Sequence, residues 1–259
     1  MPEGDTVFRT AGRLRASLAG KTLSRSDFRV PRYAALDLRG QSVDSVGSYG
    51  KHLFIRTETV SVHTHLHMEG SWRVFPCGQR WTKPRVAARL VLATEEVEAV
   101  GFSLGTVTVL RRADEHTVID HLGPDVLGPG WDPAEAVRRL EQDPEQAIGT
   151  ALLDQRNLAG IGNIYRSEIC FLRKVHPDTP VHAVPDLLAL VNEAHRVLHT
   201  AAHQPPWRPF VYGKSRRPCP RCGVTLRVEM LGETVPASDR ISHRERGIYF
   251  CPRCQRPTR

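Results

Sequence analysis

The stretch Leu152–Phe171, LLDQRNLAGIGNIYRSEICF, decides how this chain is read. Ile148, Leu152 and Leu158 recur on a roughly helical period, and Ala159-Gly160 would stop that helix. A second helix is expected to start at once. Asn163 is a good N-cap, and Tyr165, Ile169 and Leu172 at i, i+4 and i+7 would give it a buried stripe. Between the two helices the spacing predicts only a glycine corner, where Gly160 and Gly162 bring bare backbone N–H groups to the positive end of the second helix. Such an end favours an anion, most simply a phosphate. Taken alone, the corner is equally a helix hairpin turned by glycines for packing. Neither the third glycine of a dinucleotide-binding turn nor a Walker lysine accompanies it.

Working outward, the 259 residues suffice for two domains, or for one domain with an appendage. The chain carries 36 Lys and Arg against 28 Asp and Glu, a net charge of +8. From Arg208 onward the excess is denser, through Lys214, Arg216, Arg217, Arg221 and Arg227 to Arg259, and this favours a polyanionic partner. The opening MPEGDTVFRT is polar, and no apolar run approaches the ~18 residues of a membrane span, so the expectation is a soluble intracellular protein without a membrane partner. Two Cys-Pro-Arg-Cys pairs, Cys219/Cys222 and Cys251/Cys254, have the spacing of tetrahedral thiolate ligation, which predicts one structural Zn2+ rather than disulfides. Cys77 and Cys170 read as small apolar residues.

Residues 5–20 read as a helix capped by Asp5 or Thr6, with Val7, Ala11, Leu14 and Leu18 as its stripe and Gly20 as its end. From about 21 to 120 come short β-branched runs, VDSVGS, HLFIRT, VSVHTHL, WRVF, ARLVLAT, VEAVGF, TVTVLR and TVIDHL, which suggest an antiparallel sandwich or barrel. GPGWDP at Gly128–Pro133 is a breaker cluster, helical periods return over 133–200, and HQPPWRPFVYGKSRRP links them to the cysteines. The expected class is α+β. Its parts are an N-terminal antiparallel β-sandwich with a leading helix (1–127), a helical domain (128–212) and a zinc-binding β-hairpin (213–259).

Met1-Pro2-Glu3-Gly4 is the sharpest chemical signal. Removal of Met1 would leave Pro2 as a secondary amine titrating near ~8, so roughly a tenth is unprotonated at neutral pH. A helix N-terminus beside it disfavours the ammonium further. Such an amine attacking a sugar C1′ gives a cationic iminium, and Glu3 would move the protons. In isolation, though, most such starts are only starts. His63, His65 and His67 alternate on an expected strand; a metal site and hydrogen bonding near a ligand or in the core both remain open.

MPEGD, GKHLFI at Gly50–Ile55, HLHMEGSW at His65–Trp72, DQRNLAGIGNIYRSE at Asp154–Glu168 and the C-terminal knuckle pair together resemble the formamidopyrimidine-DNA glycosylase and endonuclease VIII family. The motifs run in family order over nearly the whole chain, and the opening MPEG is similar to the endonuclease VIII branch. The resemblance implies a helix–two-turn–helix motif in the helical domain. It further implies a bifunctional DNA glycosylase/AP lyase of base excision repair, acting on damaged duplex DNA as a cytoplasmic, nucleoid-associated monomer. Pro2 would be the Schiff-base nucleophile, Glu3 the general acid/base and Lys51 the phosphate-contacting lysine that assists catalysis. Gly162 and Asn163 would bind phosphate at the corner, Arg246 would hold phosphates from the zinc hairpin, and Met68 would be the wedge in the vacated base stack.

Three departures stand out. Asp5-Thr6 replaces the family's Pro-Glu, and Gly101–Gly105 lacks the Arg and Phe that the formamidopyrimidine branch uses opposite the lesion. The Cys222-to-Cys251 spacing is long, with extra length around Met230–Ser242. The rival reading is a non-catalytic zinc-dependent binder of damaged or abasic DNA.

Overall fold

The computed structural model describes residues 2–231 and 246–257. The extra hairpin length from 232 to 242 therefore lies outside the described residues. The chain forms two compact units, Met1–His121 and Leu122–Arg259.

The first unit opens with α1 (Gly4–Leu18). Its expected stripe is real, with Val7, Ala11, Leu14 and Leu18 each at most 1% exposed. The cap differs from expectation. Glu3 occupies the N-cap, while Asp5 lies inside the first turn and accepts a 2.8 Å bond from Arg9.

Eight strands follow, β1 (Arg25–Phe28), β2 (Val43–Tyr49), β3 (His52–Thr57), β4 (Val60–His65), β5 (Ser71–Pro76), β6 (Ala88–Ala93), β7 (Val97–Phe102) and β8 (Thr106–Arg111). They form two antiparallel four-stranded sheets, β1-β6-β7-β5 and β2-β3-β4-β8. Period-two alternation sends Leu53 and Ile55 of β3, and Leu90 and Leu92 of β6, into one core with the α1 stripe. Val91, Val100 and Phe102 face the other way, into a smaller cluster with Phe75. This is the expected sandwich with a leading helix.

One local expectation fails, and one strand was not anticipated. TVIDHL is not a strand: His116–Ile119 forms the short helix α2, because Glu115 is drawn onto Arg56 at 2.7 Å and the chain turns helically to place it. Conversely, β1 has the polar sequence RSDF and pairs with β6 all the same.

The second unit contains α3 (Pro133–Leu140), α4 (Ile148–Ala151), α5 (Asn163–Arg173) and α6 (Leu187–His203) around one apolar core. It also contains the antiparallel hairpin β9 (Arg227–Leu231) and β10 (Arg246–Phe250). The helix expected to run up to Ala159 ends at Ala151, and 152–162 is a double turn. Side chains of DQRN satisfy its backbone. Gln155 donates to the carbonyls of Leu153 and Ile161 and accepts from Gly160 N, while Asn157 donates to Ala151 O. Leu152 and Leu158 are still fully buried, so their apolar spacing reported burial rather than helix.

Candidate functional site

In the first unit, α1 and β2 run side by side in opposite directions. Gly20 N donates to Val43 O, and Arg15 Nε donates to Val46 O at 2.7 Å. From Arg15 back to Glu3 the helix climbs about 18 Å. From Val46 forward to Lys51 the strand advances about 16 Å. Pro2 and Glu3 therefore lie level with Lys51. The β2–β3 hairpin turns through Gly50-Lys51, with Tyr49 paired to His52 and Gly50 at φ 54°, the left-handed value that the first corner position of a II′-type turn requires. Because His52 also pairs with His65, the corner after β4 falls at the same end. There Gly70 N closes onto Leu66 O at 2.9 Å, His67 takes φ 52°, and Met68 is left 54% exposed. Four of the expected site residues, Pro2, Glu3, Lys51 and Met68, thus share one end of this unit. Glu3 is only 1% exposed, its carboxyl enclosed at the helix N-terminus.

The histidines form a column that runs through this end. His52 and His63 share a 2.9 Å hydrogen bond between Nδ1 and Nε2, His65 sits edge-on to His52 at 5.2 Å, and His65 and His67 are 4.3 Å apart. His63 also stacks on Phe54. Burial first, and for His52 and His65 also the neighbouring imidazoles and the Lys51 ammonium, push His52 and His63 down to about 4 and His65 to about 3. His52, His63 and His65 are therefore neutral at pH 7. His52 was missing from the sequence reading, although the two-residue hairpin register places it opposite His65. Among the described residues only the four hairpin cysteines, and not these histidines, converge as metal ligands.

In the second unit the N-cap of α5 is Gly162, with no side-chain cap, and Asn163 is the first helical residue instead of the cap. The reason is that the Asn163 side chain is engaged elsewhere. Its Nδ2 donates to Gly247 O at 2.8 Å, and its Oδ1 accepts from Arg166 Nε at 2.7 Å. Arg166, 0% exposed, also donates to Gly149 O and so ties α4 to α5. Glu168, equally buried, accepts backbone N–H bonds from Phe210, Val211 and Tyr212 at 2.6–2.9 Å. The Glu168 partners and the Gly247 partner of Asn163 were not visible in the sequence, because 42 to 84 residues separate the ends of those bonds. Corner and hairpin are thereby joined through one asparagine. The backbone of Arg246 opens β10 opposite Leu231, and its side chain lies outside the described residues.

The sulfurs of Cys219, Cys222, Cys251 and Cys254 all lie within 4.8 Å of one another, with Cys222 and Cys251 at 3.5 Å. Tetrahedral thiolates ~2.3 Å from a zinc ion would stand about 3.8 Å apart, so the donor set fits. Backbone N–H groups of Arg221 and Cys254 point at the Cys219 and Cys251 sulfurs, and Gly223 at φ 77° makes the first knuckle's return. Gln255 locks the second knuckle to the helical core, accepting from Cys251 N and donating to Val175 O.

Comparison with known proteins agrees with this arrangement. Residues 1–113 match the formamidopyrimidine-DNA glycosylase N-terminal domain family, and residues 122–205 match the formamidopyrimidine-DNA glycosylase H2TH domain family. The chain is 49% identical to a probable endonuclease 8 2 of Streptomyces coelicolor, over 98% of this chain and 94% of that protein. It is 43% identical to the DNA-(apurinic or apyrimidinic site) lyase Nei2 of Mycolicibacterium smegmatis, over 98% and 99%. The fold matches Lactococcus lactis formamidopyrimidine-DNA glycosylase, solved non-covalently bound to DNA with an AP site, with a TM-score of 0.82 at 21% identity over 98% of this chain and all of that one. Matched end to end by these relatives and built on the same two domains, the chain belongs to the formamidopyrimidine-DNA glycosylase/endonuclease VIII family, on its endonuclease VIII branch.

Proposed function

We propose that this protein is a bifunctional DNA glycosylase/AP lyase that removes damaged bases from duplex DNA in base excision repair. The observation that carries this is the buried Glu3 carboxyl directly after Pro2 at the head of α1, level with Lys51. Full-length relatives named for endonuclease 8 and AP lyase activity support the same reading.

In this reading, the damaged nucleotide is extruded because its glycosidic bond is unreachable in the stack. The Pro2 nitrogen, freed by loss of Met1 and in its uncharged form, forms a bond to C1′. The C1′–N bond breaks, and the base leaves with a proton. The sugar ring opens as the nitrogen lone pair forms the iminium and O4′ takes a proton, for which Glu3 is the donor. Loss of a C2′ proton then expels the 3′ phosphate in β-elimination, a corresponding step on the other side gives δ-elimination, and water releases the amine. Lys51 holds the phosphate and sharpens the field at this centre.

His52 and His65, neutral beside Lys51, add no positive charge of their own there, and the lysine presents its ammonium to a phosphate. Gly162 and Asn163 at the α5 N-terminus, with Arg246 from β10, clamp backbone phosphates without reading sequence, and Met68 fills the vacated stack. The four cysteines hold one structural Zn2+, which supplies folding energy to the hairpin and takes no part in the chemistry. Residues 1–127 carry catalysis, 128–212 the corner, and 213–259 the hairpin clamp, in a cytoplasmic enzyme.

The test is borohydride reduction in the presence of an abasic duplex. A covalent protein–DNA adduct that maps to Pro2 is expected. Tight binding without any adduct, from protein whose mature N-terminus is confirmed as Pro2 by mass spectrometry, would instead favour the non-catalytic binder.

A further inference from the structure

The first unit has an open flank that the candidate site does not use. In the sheet β1-β6-β7-β5, β5 is an edge strand. Cys77 N donates to Glu96 O, and Thr94 N donates to Val97 O in the adjoining β6–β7 turn, so strand alternation fixes which backbone groups of β5 face β7. Ser71, Arg73 and Phe75 exchange bonds with β7, whereas Trp72 and Val74 turn their N–H and C=O outward. Among the described residues no hydrogen bond meets that outer edge.

Across from the edge lies α1, with a groove of about 680 Å³ between them. One wall is a single helix stripe, Thr10, Arg13, Leu14 and Ser17 at i, i+3, i+4 and i+7, and the other is every residue from Ser71 to Phe75. Trp72 and Phe75 enter different cores, so a groove that touches both follows the edge of the strand and not one face. Five strand residues extend ~17 Å, which gives the groove a cross-section of about 40 Å². A strand with neighbours ~4.8 Å to the side and ~10 Å above occupies about 48 Å².

The groove is positive as well. Arg13 Nη2 donates to Thr10 Oγ1 at 3.3 Å and Arg73 Nη1 to Thr82 Oγ1 at 2.8 Å, and neither guanidinium forms an ion pair among the described residues. The other arginines of α1 that lie nearby are engaged, Arg9 on Asp5 and Arg15 on the Val46 carbonyl. An arginine on an edge strand ordinarily guards it against pairing with another chain. That role needs one charge, and here a second comes from the facing helix while no acidic residue lines the groove.

From this juxtaposition we infer that the groove between α1 and β5 is the docking site for an acidic, extended segment of a partner protein, which adds as a strand to the β5 edge. Main-chain bonds to Trp72 and Val74 align it. Arg73 leaves β5 on the face opposite Trp72, whereas α1 packs on the face of Trp72. Successive side chains of a strand point to opposite faces, so two adjacent acidic residues meet Arg13 and Arg73 together. The groove begins about two turns along α1 from Glu3, and its role is independent of the glycosylase reading.

The test is fluorescence anisotropy at low salt with a labelled peptide that carries a central Asp-Glu-Asp-Glu run between valines. Saturable binding is expected. Arg13→Gln and Arg73→Gln should each weaken it roughly threefold to fivefold, and the double variant at least tenfold. Arg32→Gln, which removes an exposed charge beyond the opposite sheet edge, should bind as wild type, and equal melting temperatures would establish that the variants are folded. A peptide with Asn and Gln in place of the acids should bind wild type at least tenfold more weakly, a comparison that needs no variant. Amide exchange at Trp72 and Val74 should slow when the acidic peptide is added. Absence of saturable binding, wild-type affinity in the double variant, or unprotected Trp72 and Val74 amides would overturn the assignment. Displacement of the peptide by free glutamate at equal concentration would overturn it too, by showing a site for small anions.

Discussion

Glu168 is a carboxylate without solvent, and three consecutive backbone N–H groups point at it. Burial pushes its pKa up while the three donors pull it down, so the site needs an acceptor with both oxygens available. Glu168→Gln replaces one oxygen with an amide N–H that faces donors. A loss of about 2–4 kcal/mol is expected, read as a lower urea midpoint, because a buried partner is left unsatisfied. The same logic at Glu3 concerns rate instead of stability. Burial there encloses the group proposed to transfer protons beside Pro2, and Glu3→Gln keeps the shape while removing the exchangeable charge. A fall of roughly 10²–10⁴-fold in single-turnover base excision is expected. A variant that excises at the wild-type rate would remove Glu3 from the mechanism.

At the scale of elements, β3 and β4 carry the histidine column on their shared outer face, with Lys51, His67 and His121 near His52 and with Glu115, itself paired to Arg56, near His63. The folded pKa values of His52, His63 and His65 lie below 6.5, so the unfolded chain binds protons first as pH falls. Their contribution is complete above pH 6.5 and is lost progressively as pH falls toward 4, on the order of 2 kcal/mol per group before coupling. His63→Phe, which keeps the stack on Phe54, should therefore show a shallower fall in melting temperature between pH 7 and 4.5. Parallel curves would mean that the column is protonated in the fold.

How legible these elements were in sequence follows their physics. The α1 stripe and seven of the eight strands were readable, because one face of each is buried and the period shows. RSDF was missed and TVIDHL misread because pairing with β6 and the Arg56–Glu115 bond override local preference. Within the candidate site, Pro2, Glu3, Lys51 and the cysteines stand out by motif, whereas His52 and Glu168 work through partners on other elements, which periodicity cannot show.

At the scale of the molecule, two units have separate cores. The sandwich core draws only on residues before His121, while Cys219 and Cys251 belong to a small cluster with Phe171, Val211 and Leu226. That cluster is too small to hold the hairpin by apolar burial alone, and four thiolates without a cation would repel one another. Metal removal should therefore release β9 and β10, and with them the Gly247 carbonyl that engages Asn163 and the strand that carries Arg246. The proposed phosphate clamp would lose one jaw and the support of the other. On a chain of net charge +8, much of the affinity for duplex DNA depends on such contacts. After verified chelation, DNA binding at 100 mM salt should fall at least tenfold and the salt slope should flatten. Hydrogen exchange should accelerate in 219–231 and 246–254 but stay slow in β3, β4, β6 and β7. Undiminished affinity in the metal-free protein would show that the hairpin stands without zinc, and equally fast exchange in the sandwich would show that the two cores are not independent.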